Sequence, residues 1–127
     1  MATFKTNHLH IICEDLEKMK DFWTRGIGAT FKENRSFGGA AGVVLQLDDL
    51  QINLRVPKST ENEIKPNEGA LGYDHLGLEV DDIDSAYSDL AAFGCSIESG
   101  PAELNDRKIL FLNGPENLIL ELIQFNR

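Results

Sequence analysis

The sequence predicts an α+β fold of eight strands and two helices, arranged as two matching β-α-β-β-β units. Three observations carry this. The chain repeats itself: His8-Leu9-His10-Ile11-Ile12-Cys13-Glu14-Asp15-Leu16 lies over His75-Leu76-Gly77-Leu78-Glu79-Val80-Asp81-Asp82-Ile83, and self-similarity on this scale points to a duplicated structural unit. In both copies an alternating apolar run gives way to acidic residues and then to helical spacing, the change of period that separates strand from helix. Finally, 127 residues support one domain with a real core.

The elements follow in order. Phe4 to Cys13 reads as a strand with His8, His10 and Ile12 on one face, since side chains repeat every two residues. Asp15 is placed to cap the next helix, with Glu14 and Glu17 near its N-terminal dipole. Leu16, Met19, Phe22 and Trp23 form its apolar stripe, and Gly26 and Gly28 end it. Two strands, Ala29 to Ser36 and Gly42 to Leu47, are joined by Phe37-Gly38-Gly39-Ala40-Ala41. After a turn at Asp48-Asp49, Leu50 to Val56 alternates: Leu50, Ile52, Leu54 and Val56 face one way, Gln51, Asn53 and Arg55 the other.

Pro57 to Gly69 is polar and has no apolar period, which reads as a linker. The second unit repeats the order. Leu71 to Val80 is a strand, and Asp81/Asp82 open a helix that turns Ile83, Ala86, Tyr87, Leu90 and Phe93 inward and stops at Gly94. Cys95 to Glu98, Lys108 to Leu112 and Asn117 to Phe125 supply the last strands, with turns at Gly100-Pro101 and Gly114-Pro115-Glu116-Asn117. Ser99 to Arg107 fits loop or strand. The whole is one domain over residues 1–127: module one 4–56, linker 57–70 and module two 71–126.

A net charge of −9 without a basic cluster argues against nucleic acid as a partner. No run reaches the length of a membrane span, and Met1-Ala2-Thr3-Phe4-Lys5 has no signal-peptide core. Cys13 and Cys95 form no metal-type spacing and no disulfide framework, so reduced thiols in a cytoplasmic protein are expected.

The chemistry gathers on three residues. His8 and His75 open the two copies, and Glu121 interrupts the apolar run Leu118-Ile119-Leu120-Glu121-Leu122-Ile123. A carboxylate buried there unpaired costs several kcal/mol or shifts its pKa, so a cation, a salt bridge or exposure of that face must compensate. Each residue alone has an ordinary explanation: a hydrogen-bonded structural histidine, or a solvent group on an edge strand. Together, two imidazoles and a carboxylate fill one face of an octahedral ion of Fe, Ni, Mn, Co or Zn and leave positions open for substrate or dioxygen. In the first copy the position matching Glu121 falls on Asn53, at an offset one residue longer, where an amide can coordinate, bond substrate or line a cavity. His10 shares the face of His8 and fits an alternate ligand, a general acid/base or a donor behind the ligands. Arg55, on the face of Asn53, fits an anionic substrate or simple exposure.

This pattern resembles the vicinal oxygen chelate superfamily, which includes glyoxalase I, bleomycin resistance proteins, methylmalonyl-CoA epimerase, fosfomycin resistance proteins and extradiol dioxygenases. The resemblance spans nearly the whole chain. It rests on His8 ahead of Asp15-Leu16, on Asp21-Phe22-Trp23, on Tyr73-Asp74-His75, and on Gly114-Pro115-Glu116-Asn117-Leu118 before Leu120-Glu121-Leu122-Ile123. It implies two βαβββ modules paired into a cup-like eight-stranded sheet around a divalent ion that chelates neighbouring oxygens of a small-molecule substrate. His8, His75 and Glu121 fall on the family's metal positions, and Asn53 on the fourth, which is Glu or Gln in glyoxalase I and in the epimerase. The resemblance thus implies a divalent-metal enzyme, with glyoxalase-like lyase or epimerase/isomerase chemistry on the size of the chain, and with His10 or Glu121 as proton carrier. It leaves two alternatives: an extradiol-type Fe(II) dioxygenase, and a metal-free binding protein of the bleomycin-resistance kind. A homodimer is implied as well.

Overall fold

The computed structural model describes residues 2–61 and 71–127. The chain divides into two compact units, Met1–Glu63 and Ile64–Arg127, each with its own core.

In the first unit β1 (His8–Ile12) leads through helix α1 (Leu16–Asp21) to β2 (Thr30–Phe37), β3 (Ala40–Leu47) and β4 (Leu50–Arg55). The sheet order is β1-β4-β3-β2, with β1 parallel to β4 and the other pairs antiparallel. Asp15 caps α1 as its spacing predicts, accepting the Lys18 N–H at 3.1 Å. The helix does not stop at Gly26. It widens into a π-helical turn, Phe22–Ile27, and Gly28 ends it in the left-handed region at φ 102°. Met19, Phe22 and Trp23 are fully buried with Val43, Leu45, Ile52 and Leu54; each apolar side chain buried this way contributes about 1.5–3 kcal/mol.

The second unit repeats this: β5 (Leu76–Glu79), helix α2 (Ile83–Ala91), β6 (Ser96–Glu103), β7 (Arg107–Asn113) and β8 (Ile119–Phe125), in the order β5-β8-β7-β6. Asp82 caps α2 through the Asp84 and Ser85 amides. Ile83 and Leu90 of α2 share the core with Leu110, Leu112, Leu120 and Leu122. The eight strands therefore form two four-stranded mixed sheets, one per module.

Four differences from the sequence reading have a physical reason. β1 begins at His8 rather than Phe4, and β5 at Leu76 rather than Leu71, because a strand is as long as its partner allows. His8 pairs with Gln51 at the start of β4, and Leu76 with Leu120 at the start of β8. His75 consequently stands just before its strand instead of on it. The five-residue loop Phe37–Ala41 is a two-residue turn, Gly38-Gly39, with φ 58° and 94°, the positive pair that matches a hairpin's twist. The stretch from Ser99 is strand as far as Glu103: Gly100-Pro101 is a bulged part of β6, not a turn, and β6 slips register twice against β7. Most of the expected linker, residues 62–70, lies outside the described residues. Its first part closes a turn in which the Glu61 amide donates to the Lys58 carbonyl at 2.9 Å. No helix among the described residues is long and apolar enough to cross a membrane.

Candidate functional site

Strand register decides which side chains share a face. In the first sheet Leu9, Ile11, Val43, Leu45, Ile52 and Leu54 lie on one face, an apolar one whose last four side chains are buried. The opposite face carries His8, His10 and Ile12 on β1, level with Gln51, Asn53 and Arg55 on β4. In the second sheet Leu120 and Leu122 lie on the core face, so Glu121 falls on the other, level with Gly77 of β5 and Phe111 of β7. The two registers are equivalent. His10 stands opposite Asn53 as Gly77 stands opposite Glu121, so Asn53 does occupy the place of Glu121 in the repeat.

The second unit brings His75 and Glu121 together. His75 Nε2 lies 3.1 Å from Glu121 Oε1, and His75 Nδ1 lies 2.8 Å from Asp74 Oδ1. The ring packs edge-on against Phe111, 5.0 Å between centroids. Gly77 contributes space: a Cβ there would come 3.8 Å from Glu121 Oε1. The His75 and Glu121 side chains keep 29% and 19% of their exposure, which answers the cost that a carboxylate in an apolar strand raises: it is paired, and only half-buried. The hydrogen bond that His75 donates to Asp74, opposed by burial and helped by Glu121, raises the pKa of His75 above its ordinary value.

The separation of 3.1 Å also bears on a metal. Ligand bonds of about 2.0–2.2 Å meeting at a right angle in an octahedral ion put neighbouring donor atoms about 3 Å apart. Nε2 and Oε1 stand at that spacing, so a proton or a divalent cation can lie between them. The donor set fits the ion that the fold implies.

The first unit holds His8 in the same manner. Its Nδ1 lies 2.8 Å from Asn7 Oδ1. An amide oxygen only accepts, so Nδ1 is the donor of this bond, and Nε2 is the nitrogen turned away from Asn7. Asn7 and Asp74 are the residues that sequence reasoning missed, although the signal was present: in both copies the residue before the histidine is Asn or Asp. Within neither unit do three His, Cys, Asp or Glu side chains gather as a metal-binding group, among the described residues. Of the expected ligands, His75 and Glu121 come together within the second unit, and His8 belongs to the first.

His10 belongs to a different cluster. Its Nε2 accepts the Arg55 Nε–H at 3.0 Å, and its ring meets Phe37 edge-on at 4.9 Å. Burial, and then the Arg55 charge, lower its pKa. Arg55 is itself committed. Glu61 takes Nη1 and Nη2 at 2.6 and 2.7 Å, and Nη1 also donates to the Val56 carbonyl at 3.1 Å. Glu61, assigned to the linker by sequence and given no role there, is held down to a pKa of about 2, chiefly by Arg55. A guanidinium so occupied is a poor receptor for an anionic substrate. Asn53 is buried, its Oδ1 accepting from Gln51 Nε2 at 3.0 Å.

Residues 5–122 match the Glyoxalase/Bleomycin resistance protein/Dioxygenase superfamily. The chain is 30% identical to the uncharacterized protein YwkD of Bacillus subtilis over 93% of its own length and 94% of that protein. It is 28% identical to a lactoylglutathione lyase of Schizosaccharomyces pombe over 97% of its own length, spanning 48% of that longer protein. Among solved structures, a glyoxalase family protein of Bacillus cereus superposes with a TM-score of 0.87 at 16% identity, covering 100% of this chain and 97% of the other. A fosfomycin resistance protein of Listeria monocytogenes, complexed with Mn(II) and a dihydroxypropylphosphonic acid, gives 0.73 at 15% identity, with coverage of 99% and 93%. At such identities the structures establish the fold alone.

Proposed function

The chain belongs to the glyoxalase/bleomycin resistance protein/dioxygenase superfamily, and from that premise we propose that it is a divalent-metal enzyme acting on a small substrate with neighbouring oxygens, by glyoxalase-like lyase or epimerase/isomerase chemistry. His8, His75 and Glu121 would hold the ion. Bound there, it supplies Lewis acidity toward the substrate oxygens.

The observation that carries the reading is the convergence of His75 Nε2 and Glu121 Oε1 at 3.1 Å, with the far nitrogen of the ring tied to Asp74. That is how metal-ligating imidazoles are oriented, and His8, tied to Asn7, repeats it. The part given to His8 rests on that matching tether and on its place in the repeat. Asp74 and Asn7 fix ring direction, and Phe111 limits rotation of His75. Glu121 is the proton-carrying candidate of the second unit, with one oxygen beside His75.

Lactoylglutathione lyase activity in a relative of 28% identity supports the lyase or isomerase branch over ring cleavage at Fe(II). A cytoplasmic site of action and a homodimer belong to the same reading, the first supported by two buried cysteines that form no disulfide, the second by the resemblance. A metal-free binding protein is the second reading, favoured by the charge of −9, which suits a cationic ligand.

The test is metal content by mass spectrometry on chelator-stripped protein reloaded with Fe(II), Ni(II), Mn(II), Co(II) or Zn(II). About one ion per chain, lost in His75→Ala and in Glu121→Ala, is the expected result. No ion above background in the unmodified protein refutes the enzyme reading and leaves the binding protein.

A further inference from the structure

The cluster around His10 makes a specific chemical demand on that ring. Arg55 Nε only donates, so the His10 Nε2 that it faces at 3.0 Å must be the acceptor, and the ring hydrogen must sit on Nδ1. The guanidinium cannot swing away without cost. Glu61 grips both terminal nitrogens, the Val56 carbonyl takes a further hydrogen, and the Glu61 carboxylate is anchored in turn by the Lys58 amide at 2.6 Å. Arg55 is buried to 8% of its free exposure. Phe37, edge-on to the imidazole, closes another direction of rotation. Among the described residues, Nδ1 of His10 has no partner.

We propose that Arg55, clamped by Glu61, is a positioning residue that fixes His10 as its Nδ1–H tautomer, so that His10 meets a substrate oxygen as a neutral hydrogen-bond donor and does not act as the base. The tautomer follows from the first unit alone. Its encounter with substrate rests on the function proposed above, in which this sheet face serves the site. The face is suited to that role. His10 stands opposite Asn53, whose oxygen is occupied by Gln51 and whose amide nitrogen remains as a second neutral donor on the same side. A carbonyl or developing oxyanion is the ligand chemistry that two uncharged donors recognise.

The experiment is two-dimensional ¹H–¹⁵N NMR of the ring nitrogens in ¹⁵N-histidine-labelled, metal-free protein, at a pH where the histidines are neutral. The chain has three histidines, so the signals lost in His10→Gln assign the ring. The unmodified protein should show His10 protonated on Nδ1. Arg55→Met should move the proton largely to Nε2, the form a free imidazole prefers, and Glu61→Gln, a milder change in case the first disturbs folding, should give a mixture. A His10 protonated on Nε2 in the unmodified protein overturns the proposal, as does a tautomer unmoved in folded Arg55→Met and Glu61→Gln. For the substrate contact the probe is acetohydroxamic acid, with two neighbouring oxygens on a small frame, added to zinc-loaded protein. It should shift the His10 Nδ1 signal, and a bound probe that leaves that signal in place overturns the contact. Failure to bind zinc would refute the metal-enzyme reading while leaving the tautomer measurement intact, so the two failures are distinguishable.

Discussion

Asp74→Ala removes a single side chain from the candidate site and nothing from the core. Asp74 is 73% exposed at its side chain, so its loss opens no cavity, and the melting temperature should hold. The ring of His75 loses its 2.8 Å tether at Nδ1 and keeps only the Phe111 edge contact and Glu121. Removing the orienting partner of a metal-bound histidine weakens binding about 10–100-fold. Solvent screens a carboxylate this exposed, which puts the expected effect at the lower end: about tenfold in Kd, or about 1.4 kcal/mol. Asn7→Ala deletes the matching tether of His8. A neutral amide bond is roughly half as strong as a charge-assisted one, so about threefold is expected, half the free energy at 1.4 kcal/mol per decade. The assay is competition with a fluorescent chelator for Zn(II) and Mn(II), run beside Glu121→Ala as the complete loss. If Asp74→Ala binds either ion as tightly as the unmodified protein while Glu121→Ala does not bind, the tether orients nothing and the reasoning fails.

Two further outcomes follow from the same geometry. The Glu61 carboxyl falls from 4.5 to about 2 on account of Arg55, so its contribution to stability is complete above pH 4.5 and disappears as the pH falls through about 2. Thermal melts across that window should show less acid loss in Glu61→Gln than in the unmodified chain; equal loss in both would mean that the clamp does not stabilise the fold. Gly42→Ala and Gly77→Ala should part company. A Cβ on Gly42 would run into the Leu54 carbonyl oxygen and, at 2.6 and 2.7 Å, the Phe37 ring, whereas one on Gly77 meets only Ile123 at 3.5 Å and Glu121 at 3.8 Å. Overpacking costs about 1–3 kcal/mol, so urea denaturation should show Gly42→Ala destabilised by that order and Gly77→Ala close to unmodified protein. Equal stabilities would contradict it.

The repeat, the helix caps and the alternation of β8 were legible because they are local. Asp15 and Asp82 sit where a helix needs an acceptor, and Glu121 sits between two leucines. What the sequence withheld depends on contacts made at a distance. The starts of β1 and β5 are set by Gln51 and Leu120 across the sheet, which alternation from Phe4 or Leu71 cannot report. Arg55 reads from its position on β4 as a receptor for anions, and only the return of Glu61 onto it, from a stretch with no periodicity at all, shows its charge already spent. The part of His10 changed for the same reason: sequence places it beside His8, but its proton is placed by the arginine. Asn7 and Asp74 are the exception: both precede a histidine in the repeat, and their contacts are with the adjacent ring.

The equivalence of the two registers has a consequence for how this chain tolerates changes of length. The second copy needs one residue more than the first to bring Glu121 to the place of Asn53, yet His10 faces Asn53 and Gly77 faces Glu121 in the same step of the ladder. The surplus lies in the β7–β8 connection: Val44 and its partner Asn53 are nine residues apart in sequence, whereas Phe111 and its partner Glu121 are ten. Within β8 no such slack exists. One residue inserted ahead of Glu121 would turn its carboxylate to the side of Leu110 and Leu112 and swing a leucine out in its stead, because a slip of one reverses every side chain of a strand. Insertions and deletions should be survivable in the bulged outer strands and the turns, and lethal to the site in the seven residues of β8.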